Sequence, residues 1–296
     1  MHFEIHHQAT CGSGDPDILA SQTLRLRPRT DGRQWLDSFE MSVDPKPESL
    51  EHVIDAEGNL VSIVRPGLDV AQFEVFVRAR VQTLPANPIE TKRPGDRESL
   101  PYAYPESLKW LLAPARHRSM RRSNDDPVHD FAERLRRISD NPPGFLNRLV
   151  KTLSDQFDHV PEEQGEQQSV EETLLNRRGT VGELAALCIE AARAMGFAAR
   201  FVSGYQAGEV DRLEAGPHAW AEVYLPSAGW VGFDPTLGQT IGERHIALAA
   251  AADPANAAPC SGILEQSRGL WLQSTVTVLE RGAAETPLVG AKRRRA

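Results

Sequence analysis

Arg178-Gly179-Thr180-Val181-Gly182-Glu183-Leu184-Ala185 opens the segment on which the fold reading turns. Thr180 and Glu183 stand in the T-x-x-E relation of a capping box, where a hydroxyl and a carboxylate satisfy backbone N–H groups reciprocally. The apolar stripe Leu184, Leu187, Cys188, Ala191, Ala192 and Met195 follows at helical spacing. Gly196 fits the left-handed position just past a helix end. The spacing therefore predicts one well-capped helix between Thr180 and Gly196. Three strands come next: Ala199 to Tyr205, His218 to Leu225, and Trp230 to Asp234, the last reached through the turn Pro226-Ser227-Ala228-Gly229.

Upstream of the helix lies a polar, acidic loop, Pro161 to Gln168. Before it, Val128 to Ile138 and Phe145 to Phe157 carry apolar residues at helical spacing. Residues 1–85 read as a β-rich domain: Phe3-Glu4-Ile5, Thr23 to Arg27, Ser38 to Val43, Leu60 to Val64 and Phe73 to Val81 are strand segments, most of them alternating, and Glu57-Gly58-Asn59 is a turn signal. Residues 86–127 are proline-dense and form a linker or extended wrap, with Arg116 to Arg122 read as a solvated basic stretch. Residues 128–262 form the helical and β core. Residues 263–296 hold one more strand, Gly269 to Glu280, and a basic tail, Ala291 to Ala296. The expected class is α+β: an N-terminal antiparallel β domain, then a core in which a helix packs on an antiparallel sheet.

A length of 296 residues suits two domains, and 40% hydrophobic with 25% charged residues suits a buried core. The net charge of −8 argues against nucleic acid as partner, since phosphate binding needs a positive field. No apolar run approaches the roughly 20 residues of a membrane span, and Met1 to His7 lacks the basic start and apolar core of a signal peptide. The expected compartment is the cytoplasm. Cys11, Cys188 and Cys260 are odd in number and widely spaced, so they suggest neither a disulfide framework nor a metal cluster. His2 and His6 fall on one strand face and His7 on the other. No ligand-spaced cysteine or carboxylate joins them, so no metal and no cofactor is expected.

The order of capped helix, histidine strand and aspartate strand is the layout of a cysteine acyl-transfer site. There the nucleophile sits at a helix N-terminus, where the dipole lowers its pKa, and a carboxylate orients the histidine. On Arg178 to Ala185, Arg193 to Tyr205, His218 to Tyr224 and Gly229 to Thr236, the chain resembles the bacterial transglutaminase-like family. Leu24 to Pro28 and Asp55 to Leu60 resemble the N-terminal β domain of one branch, and Gly242 to Ile246 with Ser261-Gly262 resemble its downstream segments. The resemblance implies a papain-like core with a triad of cysteine, histidine and aspartate. Aligned on Gly179 and Glu183-Leu184-Ala185, the cysteine position is Val181; His218 and Asp234 hold the other two positions. Trp220, Tyr205 and Thr180 are the candidate pocket residues around them.

Valine has no nucleophile, so the chain reads as a catalytically inactive relative. The resemblance implies a role in binding a peptide-like or amide ligand or a protein partner, with complexes containing ATP-grasp peptide ligases as one setting. The alternative is an active amidase, protease or acyl transferase using a relocated thiol, Cys260 or Cys188. Cys188 lies about 10.5 Å along the helix axis from position 181, at 1.5 Å per residue, and within the apolar stripe. A third reading has His218 activating water without a thiol. Strand pairing offers a check: His218 and Asp234 share a face if paired residue numbers sum to an even value such as 454 or 456, and not if they sum to 455.

Overall fold

Alternation of apolar and polar side chains builds the N-terminal half. The computed structural model describes residues 1–13, 21–67, 70–85, 99–118, 126–161, 167–208, 216–262 and 270–281. Its first strands are β1 (His2–Ser13), β2 (Gln22–Leu24), β3 (Gln34–Asp44), β4 (Ser49–Ile54), β5 (Leu60–Arg65) and β6 (Gln72–Thr83). Along β6, Phe73, Val75, Val77, Ala79 and Val81 are buried and most of the residues between them face solvent. The turn between β4 and β5 uses Gly58 at φ +83°, a conformation that favours glycine.

The helical part follows: α1 (Glu106–Lys109), α2 (Ala113–Arg116), α3 (Pro127–Arg137) and α4 (Pro142–Gln156). The last two begin earlier than the apolar spacing predicts. Asp126 and Asn141 cap their N-termini, and Pro127 and Pro142 occupy the first position, where a missing N–H costs nothing. Next come β7 (Asp158–His159), α5 (Val170–Asn176), β8 (Arg178–Gly179) and α6 (Val181–Ala194). The remaining strands are β9 (Ala199–Gln206), β10 (Gly216–Leu225), β11 (Gly229–Asp234), β12 (Gln239–Thr240), β13 (His245–Ala251), β14 (Cys260–Gly262) and β15 (Leu270–Arg281).

The architecture is α+β. Helix α6 packs on a five-stranded antiparallel sheet of order β12-β11-β10-β9-β13, burying Leu184, Leu187, Cys188 and Ala191 against Ala219, Ala221, Val223 and Phe233. Two four-stranded antiparallel sheets, β15-β1-β6-β3 and β14-β2-β5-β4, share a second core that includes Ala9, Cys11, Leu24, Val64 and Phe73. The C-terminal strand thus belongs in space to the N-terminal domain, where it pairs with β1 along its whole length. No described helix is long and apolar enough to cross a membrane.

Two sequence expectations change. The wrap between the domains is not merely solvated: Tyr102 and Tyr104 are buried, and the Tyr102 N–H donates to the Met195 carbonyl. Arg118, in the basic stretch, pairs with Asp126 at 2.7 Å and approaches Glu190 at 3.6 Å. Residues 119–122 of that stretch, the tail Ala291 to Ala296 and residues 162–166 of the acidic loop lie outside the described residues.

The two domains meet along β13, an edge strand of the five-stranded sheet. Its outward backbone groups are taken up by side-chain amides. Gln34 accepts from Ala247 N (2.8 Å) and donates to Ala247 O (2.9 Å); Asn59 does the same for Ala250 (2.9 and 3.0 Å). Each amide copies the hydrogen bonds of a neighbouring strand, which is what an edge requires when buried. The Arg29 N–H also donates to Ala247 O, so that carbonyl has a second partner, whereas Ala250 depends on Asn59. Asn59→Leu, which keeps the volume, is therefore expected to cost about 2–4 kcal/mol, and Gln34→Met, which also takes a donor from the Arg29 carbonyl (2.7 Å), a similar amount. Urea unfolding measures both; no loss in either variant would contradict this docking.

Candidate functional site

The site is assembled from the N-terminus of α6 and the ends of three strands. The capping box forms as the sequence predicts: Thr180 Oγ1 accepts from Glu183 N (3.3 Å) and Glu183 Oε2 from Thr180 N (2.9 Å). The same carboxylate accepts from Gln168 N at 2.6 Å, which ties the preceding loop to the cap. Val181 is the first residue of the helix, half-buried, and packs against the main core cluster. Strand β7 runs parallel to β8 and sets His159 opposite Gly179, two residues before Val181.

Strands β10 and β11 pair with Ala221 opposite Phe233, so paired numbers sum to 454 and His218 and Asp234 fall on one face. His218 Nε2 lies 2.6 Å from Asp234 Oδ2. A second histidine joins them: His245 Nε2, at the start of β13, lies 2.9 Å from the same oxygen. The other carboxylate oxygen accepts from the backbone N–H groups of Thr236 (2.8 Å) and Leu237 (3.0 Å). Asp234 is completely buried. Burial alone would raise its pKa, but the hydrogen bonds from His218 and His245, the charge of His218 and the Leu237 N–H hold it far below the ordinary carboxylate range.

The network sets the tautomers. An ionised carboxylate only accepts, so both Nε2 atoms carry protons. His245 Nδ1 in turn accepts from Gly242 N at 3.1 Å. His218 Nδ1 makes no hydrogen bond among the described residues. Burial, followed by the charge of His218 and opposed by that of Asp234, lowers the pKa of His159, which places that imidazole within electrostatic range of the pair. The three groups offer ligand atoms within 4.8 Å of one another. Their N···O separations of 2.6 and 2.9 Å are hydrogen-bond lengths. Two ligands about 2.1 Å from one tetrahedral ion would stand roughly 3.4 Å apart, so the cluster as built is a proton-sharing one.

Of the remaining candidates, Trp220 and Thr180 lie at the site, the Trp220 ring centroid 6.2 Å from that of His218. Cys188 is buried in α6; burial, then the nearby charge of Asp234, raises its pKa and keeps it a thiol. Cys260 is on β14, with Sγ 3.4 Å from Cys11 Sγ inside the N-terminal domain, so it does not return to the five-stranded sheet. Tyr205 lines no pocket at the pair: it is buried between the domains, its hydroxyl 2.6 Å from His7 Nδ1. Trp220 is also fully buried, edge-on to His245 with ring centroids 5.4 Å apart. Beside it a crevice of ≈ 20 Å³, also lined by Gln34, Glu222 and Ile241, has room for about one water molecule. Thr180 serves as the cap. Sequence reasoning missed His159 and His245. His245 stood only within Gly242 to Ile246, with no chemistry attached, and His159 sits in a two-residue strand that no periodicity reveals.

Compared with known proteins, residues 129–235 match the transglutaminase-like superfamily and residues 3–82 the bacterial transglutaminase-like N-terminal region. An uncharacterized protein of Mycobacterium tuberculosis is 28% identical over 271 residues, spanning 84% of this chain and 83% of its own. One from Mycobacterium leprae is 31% identical over 135 residues, 43% of this chain and 48% of the other. Among solved structures, a protein of Cytophaga hutchinsonii described as a candidate cysteine protease superposes with a TM-score of 0.70 at 19% identity, covering 99% of this chain and 95% of that one. That likeness is one of fold.

Because the pKa of Asp234 is depressed on folding, its ionised form stabilises the native state above the unfolded carboxyl pKa of about 3.9, and the contribution fades as pH falls below that value. Asp234→Asn is expected to cost about 2–4 kcal/mol at pH 7, with the gap to wild type narrowing between about pH 4 and pH 3. Urea unfolding across that range reads the effect. A gap independent of pH would show that the carboxylate charge is not the stabilising feature.

Proposed function

Because this chain joins a transglutaminase-like core to the bacterial transglutaminase-like N-terminal region, we propose that it is a non-catalytic member of that group, kept for binding or complex assembly. The observation that carries this reading is the placement of its three cysteines. Position 181, where a helix dipole would activate a thiol, is valine. Cys188 is sealed in the core with its proton, and Cys260 faces Cys11 in the other domain. His218 is held by Asp234 through Nε2, as a general base would be, but has no described thiol to deprotonate.

The bound species in this reading is a peptide-like or amide ligand or a protein partner, in the cytoplasm, with an ATP-grasp-type peptide ligase as the partner class that the family resemblance implies. Support for a binding surface comes from a trough of ≈ 450 Å³ on the outer face of the four-stranded sheet containing β1. His6, Gln8, Ser42, Arg78 and Thr277 give it hydrogen-bonding groups, and Phe76 gives it an exposed apolar floor. That mixture suits an extended polypeptide, which offers backbone groups and side chains alternately.

Wild type is expected to show no thiol-dependent amide hydrolysis. Val181→Cys is expected to react with iodoacetamide at least about tenfold faster than any native cysteine, because it puts a thiol at a helix N-terminus. Mass spectrometry locates the label. Amide turnover by wild type that disappears in Cys260→Ser or Cys188→Ala would overturn the proposal in favour of a relocated thiol.

A further inference from the structure

Cys11 and Cys260 are 249 positions apart in sequence, yet their sulfur atoms are 3.4 Å apart. They approach from the two sheets of the N-terminal domain: Cys11 is on β1, between Phe73 and Leu272, and Cys260 is on β14, opposite Leu24. Cys11 is fully buried among Ala9, Leu24, Val64 and Phe73. Cys260 is half-exposed at the margin of the same cluster. The pair differs from two cysteines that merely share a core in having one residue partly exposed and one buried.

A fixed cation flanks Cys260. Arg25 Nη1 donates to Ser261 Oγ (2.8 Å) and to the Ala258 carbonyl (3.4 Å), so the guanidinium spans the residues on either side of Cys260. Asp55 faces Arg25 Nε at 3.6 Å. The Cys11 S–H donates to Cys260 Sγ, and Cys260 Sγ in turn faces Gln22 Oε1 at 3.9 Å.

We propose that Cys11 and Cys260 form a thiol–disulfide exchange site that a small disulfide oxidant closes into an intramolecular bond between the two sheets. The Cys260 thiolate attacks one sulfur of the oxidant RSSR, forming a mixed disulfide and releasing RS⁻, which takes up a thiol proton. Cys11 then attacks Cys260 Sγ, loses its proton and expels the second RS⁻. In balance, two protein thiols and RSSR become one protein disulfide and two RSH: the cysteine pair gives up two electrons and RSSR takes them. Closing from 3.4 Å to the covalent separation of about 2.05 Å requires a shift of little more than an ångström, shared between two side chains.

The link would close almost the whole core domain into one loop, because β14 follows the core while β1 precedes it. Such a constraint acts mainly on the unfolded chain and grows with loop length. It would also tether the segment that runs from β13 back to the N-terminal domain.

The test uses the full chain equilibrated with oxidised and reduced glutathione in graded ratios. In denaturant, free thiols are expected to fall from three to one per chain, and peptide mapping is expected to find Cys11 joined to Cys260 with Cys188 free. The oxidised protein should unfold about 5–10 °C higher than the reduced one. Cys260→Ser should keep both of its remaining thiols under the same treatment and show no such rise. Cys188→Ala, which leaves the pair intact, should form the bond as wild type does. Three thiols persisting at every ratio, a glutathione adduct on Cys260 that never resolves, or a bond between two chains would each overturn the proposal.

Discussion

A single buried carboxylate organises the centre of this protein. Asp234 has no contact with water and accepts four hydrogen bonds: two from imidazoles and two from the backbone just beyond β11. An unpaired charge in such a place would cost several kcal/mol, so each donor is an obligation on the structure around it. His218 requires the register of β10 against β11. The Thr236 and Leu237 N–H groups require the tight turn after Asp234. His245 requires that β13 begin where it does, and the Gly242 N–H fixes which of its nitrogens carries the proton.

Through His245 this requirement reaches the other domain. Strand β13 is held on its inner edge by β9 and on its outer edge by the amides of Gln34 and Asn59. One face of β1 serves both bodies. Phe3 and Ile5 pack with Tyr205, Ile246 and Leu248 of the core sheet, while Ala9 and Cys11 pack with Leu24 and Val64 of the second sandwich sheet. His7 stands between these halves; burial lowers its pKa to about 4, so it meets the Tyr205 hydroxyl as a neutral imidazole near pH 7. The N-terminal domain is thus a wall of the core sheet, and displacing it would expose the backbone of the strand that carries His245.

The parts legible in the sequence were those governed by short-range rules. The T-x-x-E cap, the apolar stripe of α6 and the alternation in β6, β10 and β11 each rest on a period that a single segment displays. The pairing of His218 with Asp234 was legible as a parity condition, which the observed register meets. What stayed hidden depends on contacts between distant segments. Strand β13 reads His-Ile-Ala-Leu-Ala-Ala-Ala and is buried on both faces, so it has no alternation to reveal it. Its histidine, the role of Gln34 and Asn59, and the meeting of Cys11 with Cys260 all follow from that strand and the segment after it. Of the two aromatic pocket candidates, Tyr205 is core between the domains, while Trp220 is fully buried yet lies with its ring beside both His218 and His245.

Position 181 and the His218–Asp234 pair stand on different energetic footings. Val181 is half-buried at the first turn of α6 and contributes apolar contact with the neighbouring core. Asp234 and His218 are different, because removing either side chain strands a buried partner, at a cost of about 3–5 kcal/mol for a broken buried pair. The pair is therefore held by folding whether or not it works on a substrate, and its presence is no argument for catalysis.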